Sequence, residues 1–421
     1  GTPAAAATVL DGYPLAQKGK GVKAMKMALY SSVFGDTFSD VMLIFAAGFL
    51  ASIALNFGPP EYTLLTGFSL LCISSLTGNS IWKGLFSVFL GMIIGMIGLD
   101  PITATPRLTF EYLELEEGIG LIPMLIGTLA VSEALRQMEQ PVKKLASSTL
   151  IFSKQKIDNV VTFLEFKSTF PTIIKSSGLG TLIGAMPGLG STIAAFLAYG
   201  EAKRSSKKPE NFGKGSLEGI AASESANNAV SGSNMIPLLA FGIPGDIAAA
   251  LIMGAFLIQG ITLGPVVFQD NPVEIYAIFA ALIVANLFNL FLGHGLIKMC
   301  KHVVTVPKRL LFPAVLVIAS AGAYALRGSL FDIQLVFCFG VLGYVMMKCD
   351  IPTVPMLIGF ILIPIFEENL RVTLLLGASH DLNVAFIFTR PAFVILFLIM
   401  TFTSLFILKR RKLRKLENIN N

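Results

Sequence analysis

Long apolar stretches separated by short polar segments dominate the chain, and their lengths predict membrane-spanning helices. An α-helix needs about 20 apolar residues to cross roughly 30 Å of hydrocarbon. The short alternating segments typical of a membrane β-barrel are not seen. We therefore predict an all-α polytopic membrane protein. Its predicted spans are residues 27–57, 62–79, 84–99, 118–135, 274–296, 309–326, 330–347, 352–366 and 391–408.

Two further apolar regions, 170–200 and 216–262, are interrupted by Gly, Pro, Ser and Asn. The first contains "GLGTLIGAMPGLGSTIAAFLAYG" and predicts a re-entrant hairpin with its tip at Met186–Ser191, because arms of about 14 residues are too short to span. In the second, "GIPGD" predicts a break between two helices. Irregular backbone at membrane depth is tolerated only where it is packed in protein or lines a watery cavity.

The composition is typical of a membrane protein, and the sequence contains no recognisable metal-binding or catalytic motif. The chain is 54% hydrophobic and only 14% charged, whereas a soluble protein carries about 25% charged residues. The cysteines form no CxxC pair and the histidines no cluster, so we predict neither a metal site nor a disulfide framework. No Walker lysine, GxSxG or HExxH pattern stands out, so an enzyme is not expected.

Basic residues fix the predicted orientation, because cytoplasmic loops are enriched in Lys and Arg. Alternating the spans places every strongly basic segment on one side, including the tail "KRRKLRK". We therefore predict a cytoplasmic C-terminus and a hairpin that enters and leaves on the cytoplasmic side. The opposite side keeps only four arginines, Arg107, Arg327, Arg371 and Arg390.

Short internal matches predict two homologous halves. "PMLIG" occurs at 123–127 and again at 355–359, and "GTPAAA" at the start resembles "GDIAAA" at 245–250. The loops that follow corresponding segments differ in charge, so the halves are predicted to be inserted in opposite senses, as in transporters with inverted repeats and broken helices. The chain opens on Gly1 without a Met, and we expect the first repeat to be truncated. The predicted divisions are a first repeat at 1–136, a cytoplasmic linker at 137–168, a second repeat at 169–390, and a C-terminal helix with a basic tail at 391–421.

Restarted helices and neutral polar side chains supply the candidate anion site. A helix N-terminus presents free N–H groups and a partial positive charge, which suits a carboxylate. The alternative is that these small and polar residues only pack helices together. The candidate substrate-binding residues are Pro187, Gly188, Gly190, Ser191, Thr192, Asn227, Asn228, Ser231, Asn234, Gly242, Pro244, Gly245, Gly1 and Thr2.

Intramembrane acids supply candidates for ion coupling. Asp36 and Asp40 lie four residues apart on one face of the first span, and such carboxylates commonly serve as ion or proton sites. The alternative is pairing with Lys23 or Lys26. Asp246 is a third candidate, with a helix N-cap as its alternative role. No cofactor is predicted beyond a coupling Na⁺ or H⁺.

Several segments resemble the large transmembrane subunit of the tripartite tricarboxylate transporter family. They include "PGLGSTIAAFLAYGEAKRSSKKPENFGKGSLEGIAASESANNAVSGSNMIPLLAFGIPG", "GTPAAAATVLDGYPLAQKGK" and "EENLRVTLLLGASHDLNVAFIFTRP". The resemblance covers nearly the whole chain. It implies secondary import of tricarboxylates or other carboxylates across a bacterial inner membrane. It also implies a small membrane subunit and an extracytoplasmic solute-binding protein as partners. A non-transporting assembly subunit, a channel and a membrane-embedded enzyme remain alternatives.

Overall fold

The computed structural model describes residues 5–76, 80–100, 103–139, 155–186, 190–303, 308–379, 384–398 and 400–401. Nearly all of these residues are helical, and the strands among them are the antiparallel pair β1 (Gly98–Leu99) and β2 (Pro106–Arg107). The predicted all-α fold is confirmed. The helices are α1 (Ala5–Gln17), α2 (Gly21–Ala54), α3 (Pro59–Leu76), α4 (Ile81–Gly95), α5 (Leu113–Glu116), α6 (Leu121–Leu125), α7 (Ser132–Glu139), α8 (Phe163–Gly184), α9 (Gly190–Ser205), α10 (Leu217–Phe241), α11 (Ile247–Ile258), α12 (Val267–Asp270), α13 (Pro272–Val303), α14 (Lys308–Arg327), α15 (Leu330–Lys348) and α16 (Val354–Ser379).

Three described helices, α2, α13 and α15, are long and apolar enough to cross a membrane. Shorter apolar stretches lie in α4, α11 and α14. Along α13 the side chains of Leu287, Phe288 and Phe291 are 57%, 59% and 66% exposed. An apolar face of this size is unfavourable in water and belongs against lipid or another helix. The chain is a multi-pass membrane protein, as predicted.

The chain divides into two compact units, and each is built from separated segments. The first unit comprises Gly1–Ser52 and Ile122–Tyr344, and the second comprises Ile53–Leu121 and Val345–Asn421. The domain division predicted from the internal repeats rests on sequence similarity, whereas these units rest on packing. The repeat-based division stays a prediction.

In the first unit, α8 and α9 pack against each other, and both pack against α10. Gly180 and Gly184 allow the close approach, because a Cβ at Gly180 would collide with the backbone of Ala226 and one at Gly184 with the side chain of Ser233. Small residues permit such packing between membrane helices. Neither α8 nor α9 is among the helices long and apolar enough to cross a membrane.

The first arm of the hairpin is longer than the roughly 14 residues that the sequence predicted, a length too short to span a membrane. Helix α8 has 22 residues and begins inside the segment predicted as linker. A capping box starts it there: the Thr162 side chain accepts a hydrogen bond from the Glu165 N–H, and the Glu165 carboxylate accepts one from the Thr162 N–H. This reciprocal pair satisfies two N–H groups that a helix start leaves free.

The predicted break after α10 is present. Gly242 ends α10 with a φ of 70°, a left-handed conformation that glycine adopts without steric cost. Asp246 then starts α11, since its Oδ1 accepts a 2.9 Å hydrogen bond from the Ala249 N–H. Gly242, Pro244 and Gly245 are all buried in the break.

The two "PMLIG" segments pack in a reciprocal way. Gly127 of the first copy lies against the backbone of Val336 on α15, and Gly359 of the second lies against the backbone of Val88 on α4. Between α6 and α7 the chain forms a π-helical segment, Ile126–Val131. Helices α1 to α4 have 13, 34, 18 and 15 residues, and α11, α13, α14 and α15 have 12, 32, 20 and 19. The lengths recur in a similar order, and the inverted repeats stay a prediction.

In the second unit, α16 corrects one predicted span. The sequence predicted an end at residue 366, where charged residues begin, but α16 continues to Ser379. The reason is an ion-pair network: Arg107 lies 2.7 Å from Glu367, and Arg371 lies 3.0 Å from Asp100. Paired charges are tolerated inside a helix bundle where isolated charges are not.

Candidate functional site

Asn234 marks the place in the first unit where the hairpin and the helix break come together. A Cβ at Gly245 would lie 2.6 Å from Asn234 Oδ1 and 3.4 Å from the Gly184 carbonyl oxygen. The end of α8, the break after α10 and the Asn234 side chain therefore converge. Asn234 is only 2% exposed, and neither of its amide atoms has a hydrogen-bond partner in the structure. The carboxylate of Asp246 is its polar neighbour and interacts with it, although the two side chains lie outside the distance and angle limits of a regular hydrogen bond.

A buried amide without partners is unusual, because buried polar groups are hydrogen-bonded in the great majority of cases. Asn234 can donate two hydrogen bonds and accept two. A carboxylate at this point would accept its N–H groups. Asn234 is thus the candidate substrate residue with the clearest unused binding capacity among those that the structure describes.

The two restarted helices differ in what they offer an anion. At the start of α11 the carboxylate of Asp246 already accepts a hydrogen bond from the Ala249 N–H. An anion site at this N-terminus stays a prediction. Gly190, with a φ of 65°, begins α9, and Ser191 and Thr192 follow in its first turn, all half-buried. This turn retains the partial positive charge expected of a helix N-terminus.

Asn227, Asn228 and Ser231 share one face of α10 with Glu224, at spacings of three and four residues. This face is half-buried or exposed, although most of α10 is buried. Polar side chains in a membrane helix face a watery cavity or polar partners. Asn234 continues this face one turn beyond Ser231, but it is buried, because Gly245 of the helix break lies against it.

Glu224 is the centre of the polar face and carries no predicted role. Its Oε1 accepts a 2.6 Å hydrogen bond from Thr8 on α1, and its Oε2 accepts a 2.9 Å one from Ser32 on α2. Asn228 Nδ2 donates to Ser32 Oγ at 2.8 Å and to the Glu224 carbonyl at 3.0 Å. Glu224 therefore joins three helices through neutral donors. An acid at helical spacing from two asparagines was the available sequence signal.

Asp36 and Asp40 point from α2 into the bundle. Asp40 is 1% exposed, and its Oδ2 accepts a 2.8 Å hydrogen bond from Asn286 on α13. Its Oδ1 has no hydrogen-bond partner in the structure. The alternative of pairing with Lys23 does not hold, because Lys23 Nζ lies 2.7 Å from Glu165 instead.

Four of the predicted substrate residues, Gly1, Thr2, Pro187 and Gly188, lie outside the described residues. Gly242 and Pro244 shape the break, and no binding role is needed to explain them. Within the described part of the chain, no group of three or more His, Cys, Asp or Glu side chains is placed to hold a metal ion.

Comparison with known proteins identifies a family and two relatives that match part or most of the chain. Residues 1–358 match the model of the "Tripartite tricarboxylate transporter TctA family". An "Uncharacterized 52.8 kDa protein in TAR-I ttuC' 3'region" of Agrobacterium vitis is 36% identical over 377 residues, which cover 90% of this chain and 74% of that protein. An "Uncharacterized protein in TAR-II ttuC' 3'region" of Agrobacterium vitis is 41% identical over 198 residues, covering 47% of this chain and 82% of that protein. No solved structure matches significantly.

Proposed function

The chain belongs to the tripartite tricarboxylate transporter TctA family, and from this premise we propose that it is the large membrane subunit of a secondary importer of carboxylate anions. The substrate class is a tricarboxylate or a related carboxylate. A small membrane subunit and an extracytoplasmic solute-binding protein act with it. The complex lies in a bacterial inner membrane, with the C-terminus of this chain in the cytoplasm and a Na⁺ or H⁺ gradient as the driving force.

The unpartnered side chain of Asn234 carries this proposal. It is buried, its amide N–H groups are free in the structure, and it lies where a hairpin end meets a helix break. Broken helices and inverted repeats around a central site are features of secondary transporters. The reciprocal packing of Gly127 and Gly359 supports such repeats. Residues Gly190–Thr192 are proposed to contact the anion from the hairpin side.

Uptake by purified protein in liposomes tests the proposal. The liposomes contain both membrane subunits, the binding protein is added outside, and a panel of labelled mono-, di- and tricarboxylates is offered under imposed Na⁺ or pH gradients. We expect gradient-driven uptake of at least one carboxylate by the wild type. Uptake should be lost in Asn234→Ala and retained in Asn211→Ala, which alters an exposed residue at the end of a short 3-10 helix. Equal uptake by both variants would remove Asn234 from the site.

A further inference from the structure

The contact between α2 and α10 places two acidic side chains inside the protein. Ser32, Asp36 and Asp40 follow one another at one-turn intervals on α2. Gly35 lies against the backbone of Ser225, and a Cβ at Gly232 would collide with Asp40 Oδ1. The absence of a side chain at Gly232 therefore leaves the space that this oxygen occupies.

Charged groups around Asp40 offer it no counter-ion. On its own helix the nearest acid is Asp36, which faces Ser231 of α10. From α10 the titratable group is Glu224, held by Thr8 and Ser32. From α13 the contact is the neutral amide of Asn286, and His294 is engaged further along by Tyr30 at 3.0 Å. Among the described residues, no Lys, Arg or His forms an ion pair with Asp36, Asp40 or Glu224.

A carboxylate buried in this way is costly unless its charge is neutralised by a proton or a bound cation. The contacts of Asp40 favour a proton. A proton needs one oxygen, and Oδ1 is free. An alkali cation needs several oxygen ligands, but the group that Asn286 presents to Asp40 is an N–H, which cannot ligate a cation.

We propose that Asp40 is a proton-binding site and that Asp36 exchanges its proton with water. The proposal requires Asp36 to be nearer to water than Asp40. Asp36 is half-buried beside the exposed Ser231, whereas Asp40 is buried. In the transfer, the O–H bond on Asp36 breaks as an O–H bond forms on Asp40 Oδ1. The pair keeps a total charge of −1 throughout. As the coupling step of transport, this inference rests on the proposed function.

Infrared spectroscopy of the purified full chain in lipid nanodiscs tests the site without any substrate. We expect a carboxylic-acid C=O band that titrates with pH. It should be missing in Asp40→Asn, restored in Asp40→Glu, and unchanged in Asp350→Asn, where the replaced acid is exposed. In Asp36→Asn the band should remain but exchange more slowly after a pH jump. If the wild type and the Asp40 variants show the same carboxylic-acid bands, the proposal is overturned. If Asp40→Asn fails to fold, the spectra of Asp36→Asn and Asp40→Glu still decide the question.

Uptake separates this inference from the proposed function. A gradient of one pH unit coupled to one proton sustains roughly tenfold substrate accumulation, and Asp40→Asn should abolish that accumulation while substrate still exchanges at equal pH. If the wild type accumulates substrate under a Na⁺ gradient at constant pH and does not respond to a pH gradient, proton coupling through Asp40 is refuted, while the proposed transport function is retained. Absence of uptake under every gradient would refute the proposed function instead.

Discussion

The phenol of Tyr199 on α9 donates a 2.9 Å hydrogen bond to Asp11 Oδ2, and this joins the start of the first unit to its hairpin. The other carboxylate oxygen accepts three backbone N–H groups, from Gly213, Gly215 and Ser216, each at 2.8 Å. Asp11 is fully buried. It thus connects α1, α9 and the loop that leads into α10.

Replacing Asp11 with Ala should destabilise the protein strongly. The change leaves backbone N–H groups without their acceptor inside the protein, and such losses cost about 1–3 kcal/mol for a buried polar group. Asp11→Asn keeps one carbonyl oxygen and should lose less. Thermal unfolding of the detergent-solubilised protein measures both, with Asp350→Asn as the control for an exposed acid. Unaltered melting of the Ala variant would contradict this bonding pattern.

A single methyl group should distinguish the packed face of α8 from its open face. In Gly184→Ala the new Cβ would meet the side chain of Ser233 and the backbone of Val230, and such overpacking costs roughly 1–3 kcal/mol. Gly178 is the matched control on the same helix, because a Cβ there meets nothing within 4 Å. We expect a lower melting temperature and slower uptake for Gly184→Ala and normal behaviour for Gly178→Ala. Similar values for both variants would rule out the close contact of α8 with α10.

Acid should weaken the link between α2 and α8. Partial desolvation on its own would raise the pKa of Glu165, but hydrogen bonds from Lys23 and Thr162 outweigh it and hold the pKa below the ordinary value of 4.5. Because the folded pKa is lowered, the stabilisation is complete above the ordinary value and is lost as pH falls through the lowered one. The melting-temperature difference between wild type and Glu165→Gln should therefore be present at neutral pH and shrink in acid. Glu210→Gln, at an exposed position, is the control. If the melting-temperature difference persists unchanged in acid, the negative charge of Glu165 is not what stabilises this contact.

In the second unit, removing Arg390 should leave a buried charge. Arg390 Nε lies 2.6 Å from Glu61 Oε1, and the Glu61 side chain is fully buried while that of Arg390 is 37% exposed. Loss of one partner of a buried pair costs about 3 kcal/mol or more. We expect Arg390→Met to lower the melting temperature and the double variant with Glu61→Gln to recover part of the loss. A double variant no better than the single one would argue that packing, not charge, dominates here.

Local sequence patterns were sufficient for the helical class and for the interruptions. Gly242 ends α10 and Asp246 starts α11 for reasons contained in a few adjacent residues, a left-handed glycine and an acidic N-cap. The hairpin was predicted from the shortness of its two apolar arms and from the basic segments on both of its flanks. The predicted end of α16 at residue 366 was wrong, because charged residues beyond it form ion pairs with Asp100 and Arg107, which are remote in sequence.

The hydrogen-bond partners of the polar side chains come from segments that are distant in sequence, so local patterns could not predict them. Asn286 bonds Asp40 across 246 residues, and Thr8 bonds Glu224 across 216. Which polar groups meet depends on how each helix is rotated and how closely small residues such as Gly232 let it approach, and neither is encoded within one segment. A helical membrane protein with broken helices was predictable from the amino-acid sequence, because helix length, hydropathy and glycine conformations are local properties. The tertiary structure left Asn234 and Asp40 buried with unused hydrogen-bonding atoms, because burial and pairing are properties of the packed bundle.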